Sequence, residues 1–210
     1  MFRIITIERE FGSGAGDIAR ELASRLGWKL WDNSVTEEIA RLAQVDSSEV
    51  RRCDERMDSS LYRLAKVFWR GSYERSMPVG SGRGFDTDCM VEMMKEVIEK
   101  AAEEGNCVIV GRGSPYFLRE RSDAFHVFLY ARRAEKIQRL IKTGKSQKEA
   151  EELVDTVDQD RIAFVKHYFH ADWPTRCLYH MMINTEMGDE NVLATIQDTM
   201  RTLEGKPVHA

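Results

Sequence analysis

Short apolar runs alternate along the chain with longer stretches of helical periodicity. The runs predict five buried strands, which cover residues 2–7, 28–31, 107–110, 125–129 and 181–184. Between the first two runs, Ile18, Leu22 and Leu26 recur at the spacing of one helix face. Strands separated in this way by helices indicate an α/β fold, with one five-stranded parallel sheet and helices on both faces.

Helix-boundary signals locate the segments between the strands. Gly27 ends the first helix, and a capping box predicts a second helix over about residues 34–43. Further helices are predicted over residues 86–104, from 146 to about 168, and over 191–203. Residues 46–49 resemble a helix start and 61–68 form an amphipathic stretch, whereas 70–85 show no clear period. The whole segment 46–85 is expected to be a mobile insertion in a single domain spanning 1–210.

Composition and charge argue against several classes of function. The chain has 210 residues, 42% of them hydrophobic, and a formal net charge of -4. That charge gives no general reason to bind nucleic acid or an anionic membrane. No apolar run approaches the length of a membrane span, and the four cysteines form no CxxC pair. We therefore expect a cytoplasmic protein with reduced thiols.

A glycine-bearing turn lies between the first predicted strand and the first helix. It contains Gly12, Ser13, Gly14, Ala15 and Gly16. Small residues at this point let backbone N–H groups approach a phosphate, and the helix N-terminus adds partial positive charge. Ligands of parallel α/β sheets bind beyond the carboxyl ends of the strands, where this turn lies. The turn is thus a candidate nucleotide-phosphate site.

The turn departs from the GxxxxGK[ST] phosphate-loop motif. If Gly14 is the last glycine of the motif, Ala15 replaces the lysine, and Asp17 is the nearest side chain to the magnesium-binding Ser/Thr. Arg9, at the entrance to the turn, is a candidate replacement for the lysine charge. The alternative is that Arg9 only pairs with a neighbouring glutamate on the surface.

Several segments resemble the cytidylate kinase-like family in sequence and in order. The matching segments are Arg-Glu-Phe-Gly-Ser-Gly at 9–14, Ile-Ala-Arg-Glu-Leu-Ala at 18–23, Trp-Asp at 31–32, Val-Ile-Val-Gly-Arg-Gly at 108–113, Asp-Gln-Asp-Arg at 158–161 and Ile-Asn-Thr at 183–185. In one respect the chain differs from true cytidylate kinases, because Gly111-Arg112-Gly113 stands where they have GRD. The arginine is present and the acid is absent.

The resemblance implies a P-loop NTPase three-layer sandwich with a helical lid. Residues 132–170 would form the lid-like region, and residues 46–85 the insertion on the acceptor side. It also implies a kinase that uses ATP and Mg²⁺ to phosphorylate a nucleoside monophosphate, CMP or dCMP first, or a related small acceptor. A nucleotide-binding sensor without phosphoryl transfer is the alternative, since it accounts for the missing lysine, and a kinase for a non-nucleotide acceptor is a third.

Charged residues near the predicted strand ends complete the candidate site. Arg112 follows a buried strand and would grip a phosphate, while Arg161 would stabilise charge on the transferred group. With Arg9 they form the expected catalytic set. Asp32 ends the second strand and would organise Mg²⁺ together with Asp17, or would only cap the following helix. The oligomeric state is left open.

Overall fold

The structure is a computed structural model that describes residues 1–32 and 87–205, except for the side chains of 87–90. The predicted helix over 34–43 and the proposed insertion over 46–85 lie outside the described residues. Within the described part, the first strand is followed by a helix, and strands and helices then continue in turn to the last helix.

A five-stranded, all-parallel sheet forms the middle of the molecule, in the strand order β2-β3-β1-β4-β5. The strands are β1 (Ile4–Arg9), β2 (Lys29–Trp31), β3 (Cys107–Val110), β4 (Ala124–Tyr130) and β5 (Met181–Asn184). Each strand is built around an apolar run in the sequence, as expected where helices cover both faces of a sheet. The predicted fold class is confirmed.

Six α-helices accompany the strands in the described residues. They are α1 (Ala15–Leu26), α2 (Thr87–Glu104), α3 (Ser114–Phe117), α4 (Arg133–Lys142), α5 (Gln147–Phe169) and α6 (Asp189–Glu204). The helices α1 and α6 share one buried core with the sheet, whereas α2, α3 and part of α5 share the core on the opposite face. Within the described part of the chain, no helix is both long and apolar enough to cross a bilayer.

The α4–α5 pair has a small core of its own beside the phosphate turn. Ile137 and Leu140 pack against Ala150 and Val154, and Phe11 packs onto this cluster. The first residues after β1 are therefore in contact with the region that was predicted to be lid-like.

The first strand is longer than its hydrophobic run. The apolar residues predict a strand over 2–7, but the parallel ladder with β4 continues to the pair Arg9 and Leu129. The ladder of β1 with β3 ends at the pair Ile7 and Val110, so Glu8 and Arg9 extend the strand beside β4, and both are buried. The predicted boundary is two residues too early at both ends.

Candidate functional site

The turn after β1 has the geometry of an anion-binding loop. Gly12 has a φ of 78°, in the left-handed region that favours glycine. Gly14 precedes the first turn of α1, where backbone N–H groups lack partners within the helix. The Ser13 hydroxyl is buried and has no hydrogen-bond partner among the described residues. The loop therefore offers polar groups that an anion would satisfy.

A cavity of about 710 Å³ opens beside this loop. All the residues predicted to hold the donor phosphates line it, namely Gly12, Ser13, Gly14, Ala15, Gly16 and Asp17. Six basic side chains face three acidic ones along its wall: Arg9, Arg20, Arg139, Lys142, Lys145 and Arg161 against Glu10, Asp17 and Asp189. The wall is thus basic in a chain whose net charge is -4.

Arg112 and Asp32 lie together, and neither is among the described residues that line this cavity. Arg112 is 1% exposed, and its Nη2 donates to the Asp32 carbonyl at 3.2 Å. Burial lowers the pKa of Arg112 to about 10, although the nearby Asp32 charge opposes this shift. The residue also has a φ of 58°, a conformation that is strained for a side chain with a Cβ and that is concentrated at functional sites.

Arg9 is buried between the glycine-bearing turn after β1 and a second such turn, Gly111 to Gly113, after β3. Its Nη1 lies 3.4 Å from Glu8 Oε1 and so close to Gly111 that a Cβ on that glycine would be 1.6 Å away. The arginine does pair with a neighbouring glutamate, but inside the sheet and not on the surface. It also lines the cavity, as a replacement for the lysine must.

Arg161 approaches the same region from α5. Its Nη1 donates to the Arg9 carbonyl at 2.7 Å and to Asp158 Oδ1 at 2.9 Å. Burial lowers the pKa of Arg161 to about 10, and the positive charge of Arg9 acts in the same direction. Arg9 lowers the pKa of Arg112 as well. The buried Arg9 guanidinium is therefore near enough to repel those of Arg112 and Arg161, which favours a bound anion.

The predicted metal ligands do not form a protein cage. The Asp17 side chain is 76% exposed and pairs with Arg20 at 2.8 Å, and the described residues contain no cluster of three or more potential ligand side chains. Mg²⁺ commonly binds through one or two carboxylates, waters and substrate phosphates. Asp17 on the cavity wall fits that donor set, whereas Asp32 is buried beside Arg112.

Sequence reasoning did not place Lys136 or Lys142 of α4 near the phosphate loop. Lys136, Arg139 and Lys142 recur every three residues, which places them on one side of the helix. Arg139 donates to the Ser13 carbonyl and, at 2.7 Å, to the Thr185 hydroxyl. This spacing was the available signal, but it does not distinguish a site from a solvated helix face.

Solved structures with the same architecture include kinases. An uncharacterized protein from Eubacterium ventriosum is 18% identical, with a TM-score of 0.64 over 98% of this chain and 100% of that chain. Shikimate kinase from Acinetobacter baumannii, in complex with shikimate, is 14% identical with a TM-score of 0.54 over 98% and 97%. YorR from Bacillus subtilis, in complex with phosphorylated GDP, is 13% identical with a TM-score of 0.50 over 97% and 99%. At such identities these likenesses show the fold alone.

Family membership follows from the sequence. No curated protein matches the chain. Residues 4–187, which include all five strands and the loop after β1, match the cytidylate kinase-like family. The protein is therefore a member of the cytidylate kinase-like family, with the P-loop kinase fold.

Proposed function

We propose that the protein is an ATP- and Mg²⁺-dependent kinase that phosphorylates a nucleoside monophosphate, with CMP or dCMP as the first acceptors to test. The observation that carries the proposal is the basic cavity beside a phosphate loop that contains a buried, unsatisfied Ser13 hydroxyl. Phosphoryl transfer requires mainly positioning and charge stabilisation, and the cavity offers both. Such an enzyme would work in the cytoplasm, where ATP is abundant.

Each predicted residue has a role in this reaction. Backbone N–H groups of Gly12–Gly16 hold the donor phosphates, and Arg9 supplies positive charge that the missing lysine would provide. Arg112 holds the acceptor phosphate, and Arg161 neutralises charge on the transferred group. Asp17 on the cavity wall would hold Mg²⁺, which would neutralise charge on the donor phosphates, whereas the buried Asp32 would reach the ion only through intervening water.

Attack by a phosphate oxygen of the acceptor needs no covalent enzyme intermediate. The acceptor is already anionic, so it also needs no strong general base at the site. The buried guanidinium of Arg112 suits this type of acceptor because a planar guanidinium binds two phosphate oxygens at once.

The test is transfer of label from ATP, with Mg²⁺, to CMP, dCMP, UMP, AMP and GMP. An Arg112→Ala variant should lose transfer, whereas Arg119→Ala should retain it, because Arg119 is exposed and pairs only with Glu120 among the contacts described. Shikimate and other hydroxyl compounds belong in a second panel for a non-nucleotide acceptor. ATP binding without transfer to any acceptor would favour the sensor, which the missing lysine at Ala15 supports.

A further inference from the structure

The phosphate loop is held from outside by α4 and α5, and Asp158 lies at the centre of these contacts. Its carboxylate accepts from the Phe11 N–H, at 3.0 Å to Oδ1 and 3.3 Å to Oδ2. The same carboxylate accepts from Arg161 Nη1 at 2.9 Å and lies 3.7 Å from Lys136 Nζ. One side chain of α5 thus joins the loop backbone to cations from two helices.

Lys136 extends the contact to the next loop residues. Its Nζ lies 3.0 Å from Glu10 Oε2, and Gly12 packs so closely that a Cβ there would be 3.1 Å from the Lys136 Cβ. Lys136 is not among the described residues that line the cavity. The ammonium group of Lys136 therefore pairs with Glu10 and Asp158 and does not face the phosphate site.

Burial makes these ion pairs stronger than ordinary surface pairs. The Asp158, Lys136 and Arg161 side chains are 14%, 10% and 5% exposed. A second pair, Arg133 with Asp155, joins the same two helices, but both side chains are more than half exposed. Exposed pairs contribute little to stability, whereas a hydrogen-bonded charge in a low-dielectric interior holds its partners in place.

We propose that Asp158 is a positioning residue for the donor phosphate site, an inference that rests on the proposed function. It fixes the Phe11 amide and holds Arg161 against the Arg9 carbonyl, so that the glycine-bearing turn keeps the shape that receives phosphate. The base of the lid-like region is consequently part of the phosphate site, and ATP bound at the loop is coupled to α4 and α5.

Two measurements on the full chain test this proposal. Hydrogen–deuterium exchange of peptides covering residues 9–14 reports whether the loop is held, and calorimetry reports the Kd for ATP. The variants are Asp158→Ala and Asp158→Asn, with Asp155→Ala and Asp155→Asn as matched controls on the same helix. A double-mutant cycle with Lys136→Met measures whether Lys136 and Asp158 act together.

For Asp158→Ala we expect faster exchange in the loop and a Kd for ATP raised about tenfold or more, since hydrogen bonds to a charged group are lost. Asp158→Asn should be intermediate, because its side-chain oxygen can still accept from Phe11. The KM for ATP should rise while the KM for the acceptor stays constant, which a general loss of folding would not produce. If Asp158→Ala does not fold, the loop exchange and the Kd for ATP of Asp158→Asn test the proposal instead.

Equal ATP affinity and equal loop exchange in the Asp158 and Asp155 variants would overturn the proposal. Failure of the proposed function gives a different result, because the wild-type chain would then transfer no phosphoryl group to any acceptor, whether or not it binds ATP. In that case, exchange in residues 9–14 still decides whether Asp158 holds the loop.

Discussion

Two glycine-bearing turns leave neighbouring central strands of the same sheet, yet they offer different chemistry. The turn after β1 presents backbone N–H groups and a buried hydroxyl, and side chains of α4 and α5 hold it in place. The turn after β3 presents one side chain, Arg112, buried in a left-handed conformation between two glycines. In the proposed reaction, the first turn would be a backbone cradle for the donor, and the second would offer a guanidinium to the acceptor.

Removing the guanidinium of the second turn should give the largest effect. Arg112→Met keeps the length of the side chain but removes its charge, and we expect kcat/KM for the acceptor to fall about 100-fold or more, since truncating a buried charged contact costs about 2–5 kcal/mol. The Kd for ATP should change little, because Arg112 is outside the described lining of the donor cavity. Steady-state kinetics with each substrate varied in turn, together with ATP calorimetry, measure both effects.

Arg119→Met is the control, because Arg119 is 60% exposed. An equal loss of ATP affinity and acceptor efficiency in Arg112→Met would show that the two turns do not have separate roles.

A methyl group at Gly111 should disturb both turns at once. Gly111→Ala places a Cβ 1.6 Å from Arg9 Nη1, so the Arg9 guanidinium must move, and the φ of 65° adds backbone strain of about 1 kcal/mol. We expect a loss of about 1–3 kcal/mol in the free energy of unfolding and a roughly tenfold loss of turnover.

Gly27→Ala separates the strain from the displacement of Arg9. Gly27 has nearly the same φ, 66°, and nothing lies within 4 Å of the position that an alanine methyl group would take there. Urea unfolding gives the free energy of unfolding of the two alanine variants, and a kinetic assay gives their turnover. If Gly27→Ala lowers the free energy of unfolding and the turnover as much as Gly111→Ala does, displacement of Arg9 does not contribute to either loss.

The sheet and the first turn were predictable because both depend on local sequence. Each strand is built around a short apolar run, and Gly12 to Gly16 stand between one such run and a periodic helix. The burial of Glu8 and Arg9 was not predictable from the same signal, because charged residues at the end of a run normally mark its end. They extend β1 beside β4, where the Arg9 guanidinium lies against Gly111 and the Arg9 carbonyl accepts from Arg161.

The contacts from α4 and α5 could not be read from sequence for another reason. Lys136 and Asp158 are 22 positions apart, and nothing in their spacing shows that both reach the loop at residues 10 and 11. Such contacts depend on how the helix pair packs against the end of β1. In the sequence, Lys136 and Asp158 cannot be distinguished from residues of a solvated helix face.

A smaller effect is expected for an exposed cation in the lining of the donor cavity. Lys142 lines the cavity and has no ion pair among the described residues. Lys142→Met should weaken ATP binding about three- to tenfold at low salt, with less effect at high salt, because exposed charges are screened. Lys148→Met on α5 is the control, and calorimetry at two ionic strengths measures the difference. A salt-independent effect would contradict a direct charge interaction with phosphate.

The smallest change tests whether the first turn is built to hold phosphate or only to be stable. The buried Ser13 hydroxyl has no partner among the described residues, so Ser13→Ala should leave the free energy of unfolding unchanged or raise it slightly. The Kd for ATP should nevertheless rise about two- to tenfold, because one hydrogen bond to the ligand is lost.

Thr185→Val is the informative contrast, because the Thr185 hydroxyl donates to the Ser13 carbonyl at 2.7 Å and accepts from Arg139. That variant should lose about 1–3 kcal/mol of stability, since it leaves buried polar partners unsatisfied. Thermal unfolding with and without ATP measures both effects, and a Ser13→Ala variant that loses stability but retains ATP affinity would mean that the hydroxyl serves the fold and not the ligand.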